Sequence, residues 1–148
     1  MARDDTLEVA DIGEILRLLP HRYPFLLVDR VINIRDDQHG IGIKNLTVNE
    51  PFLACSAKNL VIPGVLVIEG MAQTAGVMAL RSLPPTDRRR FAFFMSIDKA
   101  KFRKPAGPGD TLEYHIESSP IATRFGGTEA KRRLVGYSSP RLKSAWLN

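Results

Sequence analysis

Pro63-Gly-Val-Leu-Val-Ile-Glu69-Gly-Met-Ala-Gln73-Thr-Ala-Gly-Val-Met-Ala-Leu-Arg81-Ser82 is apolar on nearly every face and too long for a strand. Pro63 in front of it and Pro84-Pro85 behind it set the limits of a buried helix over residues 64–82. At about 1.5 Å per residue that helix is almost 30 Å long, about the width of a small domain, so other elements must cover most of its sides. Residues 91–97, 99–103 and 111–117 read as strands that could supply the cover, with a turn at 105–109. On the other side, the apolar and branched run 25–34 predicts a strand, and residues 36–40 a turn. Residues 41–48 alternate apolar and polar side chains (Ile41, Ile43, Leu46, Val48) and should pair back as a hairpin. Residues 8–19 place Val9, Ile12, Ile15, Leu16 and Leu19 on one stripe, which predicts a helix ended by Pro20. The class is α+β: a curved antiparallel sheet wrapped around a long central helix, in a single domain over 1–148.

The composition supports one globular domain. Of 148 residues, 44% are hydrophobic and 25% charged, enough apolar side chain to offset the entropy of ordering, which excludes collagen-like, mucin-like and wholly disordered chains. A single cysteine, Cys55, forbids an internal disulfide, fits a reducing compartment and cannot build a Cys₂His₂ or Cys₄ zinc site. Residues 124–148 carry six basic side chains against Glu129 alone, which accounts for the whole net charge of +5. That tail has few aromatic residues to stack bases, so it reads as a solvated segment and no nucleic-acid partner is expected. The opening Met1-Ala-Arg-Asp-Asp-Thr6 lacks the apolar core of a secretory signal. Residues 61–80 fail as a membrane span because Pro63, Gly64, Glu69 and Gln73 interrupt them. A soluble, cytoplasmic protein is the expectation.

Three features could carry chemistry. Glu69 sits on the second turn of the long helix with no other charge until Arg81, and a carboxyl buried there without a partner tends toward the protonated form a general acid uses. The structural alternative is a glutamate paired at an interface with another chain. Gln73, four residues on, shares its face and could orient it. The start of the helix at Pro63-Gly64 offers free N–H groups, backed by the helix dipole, for an oxygen that gains negative charge, although a Pro-Gly start is also common without any ligand. The third feature is Leu19-Pro-His-Arg-Tyr-Pro-Phe-Leu-Leu-Val-Asp-Arg30, read as a rigid loop in which Tyr23-Pro24 could be cis and Arg22 or Arg30 could pair with Asp29 or with a partner chain. His21 fits a hydrogen-bonded turn residue better than a catalytic one, and His39 and His115 read as turn and strand residues. A glycine-rich phosphate loop, a serine nucleophile elbow and metal-spaced clusters are all missing from the sequence.

With those residues in view, the chain resembles a known family. Residues 19–30, Asn49-Glu-Pro-Phe52, residues 63–76 and Phe94-Met-Ser-Ile-Asp-Lys-Ala-Lys-Phe-Arg103 are similar to the (3R)-hydroxyacyl-acyl-carrier-protein dehydratases of FabZ type, collinearly over residues 8–118. The resemblance implies a hot-dog fold and dimers that can assemble into hexamers. It also implies loss of water from a 3-hydroxyacyl thioester on acyl carrier protein, giving a trans-2-enoyl product in fatty-acid and lipid A synthesis. No metal or organic cofactor is implied. Glu69 matches the helix glutamate that protonates the departing hydroxyl across the dimer interface, and Gly64 would hold the thioester oxygen through its backbone N–H. His21, Tyr23 and Gln73 are expected beside the substrate. A glutamate rather than an aspartate at position 69 favours this type over the related dehydratase/isomerase.

The chain departs from the family in two places. The family's base is the histidine of a Gly-His-Phe-Pro motif, but here Leu53-Ala-Cys-Ser-Ala-Lys-Asn-Leu-Val-Ile62 stands between Phe52 and Pro63. Counting from Asn49 puts Ser56 at the histidine's place, and counting back from Pro63 puts Cys55 there, so one residue is also missing. A thiol with an ordinary pKa near ~8.5 is mostly protonated at neutral pH, and a serine hydroxyl is no base. Residues 124–148 lack the period-two alternation expected of closing strands. Back-translated with free codon choice and read from each codon's third base, residues 136–146 permit Leu-Leu-Val-Ala-Glu-Ala-Glu-Val-Gly-Met, which resembles the family's closing strand. The expectation is therefore a tail that is out of frame, with 54–60 as a similar patch, and a dehydratase impaired as written. Two alternatives stay open: a non-catalytic hot-dog protein that binds acyl carriers, and a thioesterase on the same fold in which Glu69 activates water.

Overall fold

Helix α2, Gly64–Ser82, lies against an antiparallel sheet, and its limits are those read from the flanking prolines. The computed structural model describes residues 7–36, 38–53, 60–87, 100, 102, 104–118, 132–139 and 142–146, the last two segments as backbone. The sheet has the order β1 (Glu8–Ala10), β2 (Arg30–Arg35), β3 (His39–Asn45), β4 (Thr111–Ser118), β5 (Arg132–Ser139) and β6 (Leu142–Trp146), and every neighbouring pair is antiparallel. Helix α1, Ile12–Leu18, joins β1 to the loop that precedes β2. This is the hot-dog arrangement of a sheet against one long helix. The strands expected at 91–97 and 99–103 fall almost wholly outside the described residues.

Four expectations are corrected. Residues 8–19 are not one helix. Asp11 caps α1 with its side chain, accepting from Glu14 N at 2.8 Å, so the three residues before it are free to pair with β2 as strand β1. The strand expected at 25–34 begins only at Arg30, because Phe25 O and Leu27 N find their partner in a side chain of α2 instead of a neighbouring strand. In β3 the buried positions are Gly40, Gly42 and Lys44, with Ile41 and Ile43 on the other face. A Cβ on Gly42 would overlap the Thr74 side chain and one on Gly40 would lie 2.7 Å from Met78 Sδ, so the two glycines let α2 approach the sheet. Finally, the tail does form strands. Pairing is made by backbone groups, whereas the period-two signal reflects one-sided burial, so its weakness in 132–146 did not exclude β5 and β6.

Strand β4 faces the helix with Leu112, Tyr114 and Ile116, all fully buried. The Tyr114 ring lies under Gly70, where a Cβ would come within 2.6 Å of the phenolic oxygen. That oxygen is buried and has no hydrogen-bond partner among the described residues. Burial, reinforced by the negative charges of Asp29 and Glu50, pushes the phenol well above its ordinary value of 10.0. The folded chain thus holds this proton more tightly than the unfolded chain does. Its contribution to stability is complete below about pH 10 and is lost as the pH rises further. Tyr114→Phe should leave the neutral-pH denaturation midpoint at or above that of the parent and flatten the stability loss above about pH 10. A destabilisation of more than about 1 kcal/mol at neutral pH would mean that the hydroxyl has a partner.

Candidate functional site

Gln73 is 1% exposed and spends its amide on three partners. Its Oε1 accepts from Leu27 N at 2.8 Å, and its Nε2 donates to Phe25 O at 2.7 Å and to Glu69 Oε1 at 3.0 Å. A backbone N–H can only donate and a carbonyl can only accept, so the amide has one consistent orientation. The loop at 25–27 is thereby tied to the second and third turns of α2, beside Glu69.

Glu69 is not the buried, unpartnered carboxylate expected from its apolar neighbours. Its side chain is 34% exposed, receives the Gln73 bond, and lies 3.4 Å from His21 Nε2. The helix turns enough between Val67–Ile68 and Gly70–Met71, all buried, to bring position 69 to the edge of the core. This edge placement leaves the carboxyl reachable by a ligand while one oxygen stays engaged.

His21 belongs to the loop between α1 and β2. Arg22 braces that loop by donating to Leu16 O (3.0 Å), Leu19 O (2.9 Å) and His21 O (2.7 Å), which closes the C-terminal end of α1. The Tyr23–Pro24 peptide is cis, and the Tyr23 side chain is 80% exposed. Of the two partners expected for Arg22 or Arg30, Asp29 is not one: among the described residues the cation at Asp29 is Lys44, 3.7 Å away, which also donates to Glu50 Oε1 at 2.7 Å. Asp29 Oδ2 accepts from Asn45 N at 2.7 Å, fastening the loop's far end to β3.

Gly64 is the first residue of α2, five residues before Glu69 and so about 7.5 Å from it along the axis. The first N–H groups of a helix have no acceptor within it, so Gly64 and Val65 present donors on the approach to Glu69. The close neighbour of Gly64 in the folded chain is Phe102, whose ring would lie 2.7 Å from an added Cβ. The glycine is therefore required by packing whether or not a ligand approaches. Ile62 N donates to Ala106 O at 2.9 Å, which holds the segment leading into the helix against the 105–110 turn.

Ser56 and Cys55 lie outside the described residues. Among the described residues no group of three His, Cys, Asp or Glu side chains is placed to hold a metal ion, and no helix is long and apolar enough to cross a membrane. The spacing of four between Glu69 and Gln73 made their contact legible in the sequence. Nothing comparable announced the approach of His21, which comes from 48 residues away. Gln73→Leu leaves a donor at Leu27 and an acceptor at Phe25 unmet, so the urea midpoint should fall by an amount equivalent to about 2 kcal/mol or more. An unchanged midpoint would show that the loop is held by something else.

Comparison with known proteins places the chain in a family. A family model described as FabA-like domain matches residues 19–135. A protein of Rhodopseudomonas palustris (strain BisB18) named 3-hydroxyacyl-[acyl-carrier-protein] dehydratase FabZ is 59% identical over 113 residues, 76% of this chain and 75% of its own length. A protein of the same name from Nitrobacter hamburgensis is 59% identical over 112 residues, 75% of this chain and 74% of its own. Among solved structures, the dehydratase heterocomplex ApeI:P from Xenorhabdus doucetiae aligns with a TM-score of 0.62 over 90% of this chain and 88% of that chain, at 22% identity, a likeness of fold. By the match over 19–135 and the identity to these relatives, the chain belongs to the FabA-like family and, within it, to the FabZ-type dehydratases.

Proposed function

We propose that this chain acts on a (3R)-3-hydroxyacyl thioester carried by acyl carrier protein and releases water to give the trans-2-enoyl thioester. The observation that carries the reading is the placement of Glu69: a carboxyl at the core edge, held through Oε1 by a buried amide, one and a half turns beyond the free N–H groups that open α2. The thioester oxygen sits against the Gly64 N–H, where the helix dipole favours the negative charge that develops as the C2 proton leaves. Glu69 gives a proton to the C3 hydroxyl. The C3–O bond breaks, the electron pair of the C2–H bond forms the double bond, and water departs. The acyl chain runs along the apolar side chains beside α2. The active unit is a dimer in the cytoplasm, and acyl carrier protein is the partner.

The base that removes the C2 proton is where this chain differs from its family, with Ser56 or Cys55 standing at the histidine's place. Loss of a positioned base lowers the rate by about 10²–10⁴, so turnover is slow in the chain as written. The same substitution favours the second reading, an acyl-carrier-binding protein without turnover. The out-of-frame origin of 124–148, and of 54–60, belongs to this proposal and is decided by the gene: an uninterrupted frame that encodes this chain ends it.

An assay on a 3-hydroxyacyl carrier thioester, with product analysis, separates the readings. Dehydration should appear as enoyl thioester at a rate about 10²–10⁴ below that of a FabZ-type relative, and Glu69→Gln should abolish what remains. Free thiol as the product would identify a thioesterase, and binding without any product would identify the non-catalytic reading.

A further inference from the structure

Glu69 is engaged from two sides at a single atom. Gln73 Nε2 donates to Oε1, and His21 Nε2 lies 3.4 Å from that same Oε1. Oε2 receives no hydrogen bond among the described residues. The two neighbours are themselves held: Gln73 by Leu27 N and Phe25 O, and the backbone on both sides of His21 by the three bonds from Arg22. Oε1 is therefore the oxygen that the fold engages, through an amide that is itself anchored and a ring carried on a braced stretch of backbone.

The other nitrogen of His21 indicates where the ring proton sits. Nδ1 is buried and has no hydrogen-bond partner among the described residues. A proton there would be a buried donor without an acceptor, whereas a bare lone pair forfeits less. Nε2 faces a carboxylate oxygen, where a proton is well placed. A small approach from 3.4 Å closes a hydrogen bond of ordinary length to Oε1.

We propose that His21 is a positioning residue for Glu69: its neutral imidazole carries the proton on Nε2 and presents it to Oε1, so that Oε1 anchors the carboxyl and Oε2 is the atom that delivers the proton. This rests on the reading that Glu69 protonates the leaving hydroxyl. When the Oε2 proton passes to the C3 hydroxyl, the carboxylate charge left behind is met at Oε1 by two donors, Gln73 and His21. Solvent then returns a proton to Oε2, while the proton taken from C2 leaves to solvent, so the cycle balances. It follows that His21 does not replace the missing base. With Nε2 protonated and Nδ1 buried, the ring offers no lone pair to a substrate on Glu69's side.

Two measurements test the proposal. Long-range proton–nitrogen correlation spectra of the ¹⁵N-labelled full chain at about pH 8 read the tautomer of His21 directly. A proton on Nε2 with a bare Nδ1 supports the proposal, and a proton on Nδ1 overturns it. In the dehydration assay, His21→Phe should lower kcat by about 10- to 100-fold with KM nearly unchanged, and His21→Gln, which can present an N–H toward Oε1, should recover part of the loss. An unchanged kcat in His21→Phe, or an equal loss in both variants, contradicts it. If the parent chain makes no enoyl product, the proposed activity fails by itself and the tautomer still decides the role of His21.

Discussion

The arrangement depends on one buried amide. Gln73 stands in for a neighbouring strand at Phe25 O and Leu27 N and holds one oxygen of a carboxyl one helical turn away. An unmet buried backbone group costs about 1–3 kcal/mol, a large fraction of a domain's net stability, so the loop is held against the helix by the same accounting that folds the core. Site and scaffold are therefore not separable here: what closes the loop also aims Glu69.

The sheet makes this possible by standing close to the helix. Gly40 and Gly42 remove side chains from the face of β3 that meets Thr74 and Met78, and Gly70 makes room for the Tyr114 ring from β4. These contacts fix the rotation of α2 about its own axis, which puts Glu69 at the core's edge and Gln73 inside it. Lys44, nearly buried, turns its ammonium group to Glu50 and Asp29 and so joins β3 to the loop from the other end. The Glu69 carboxyl is thus positioned by packing on one side and by polar contacts on the other.

Much of this was legible in the chain, and what was not has physical reasons. The long helix was readable to the residue because prolines bound it and because its apolar run exceeds any strand. The Glu69–Gln73 contact followed from a spacing of four. The start of β2 was misplaced because an apolar, branched run looks like a strand wherever its backbone partners lie, and here they lie on a side chain. The outward turn of Ile41 and Ile43 was hidden because glycine carries no apolar signal, although it marks the face closest to the helix. The tail strands were missed because a backbone ladder leaves little trace when side-chain alternation is weak. The approach of His21 to Glu69 is a long-range contact between a loop and a helix, which no local pattern encodes.

In the function proposed above, Glu69 meets the hydroxyl-bearing carbon of an acyl thioester. The most direct measurement is the carboxyl ¹³C resonance of Glu69 during titration with an unreactive 3-hydroxyacyl thioester analogue on a pantetheine arm. The Glu69 resonance should move in step with binding while that of Glu50, engaged with Lys44, stays in place. Binding that leaves Glu69 unmoved would contradict it.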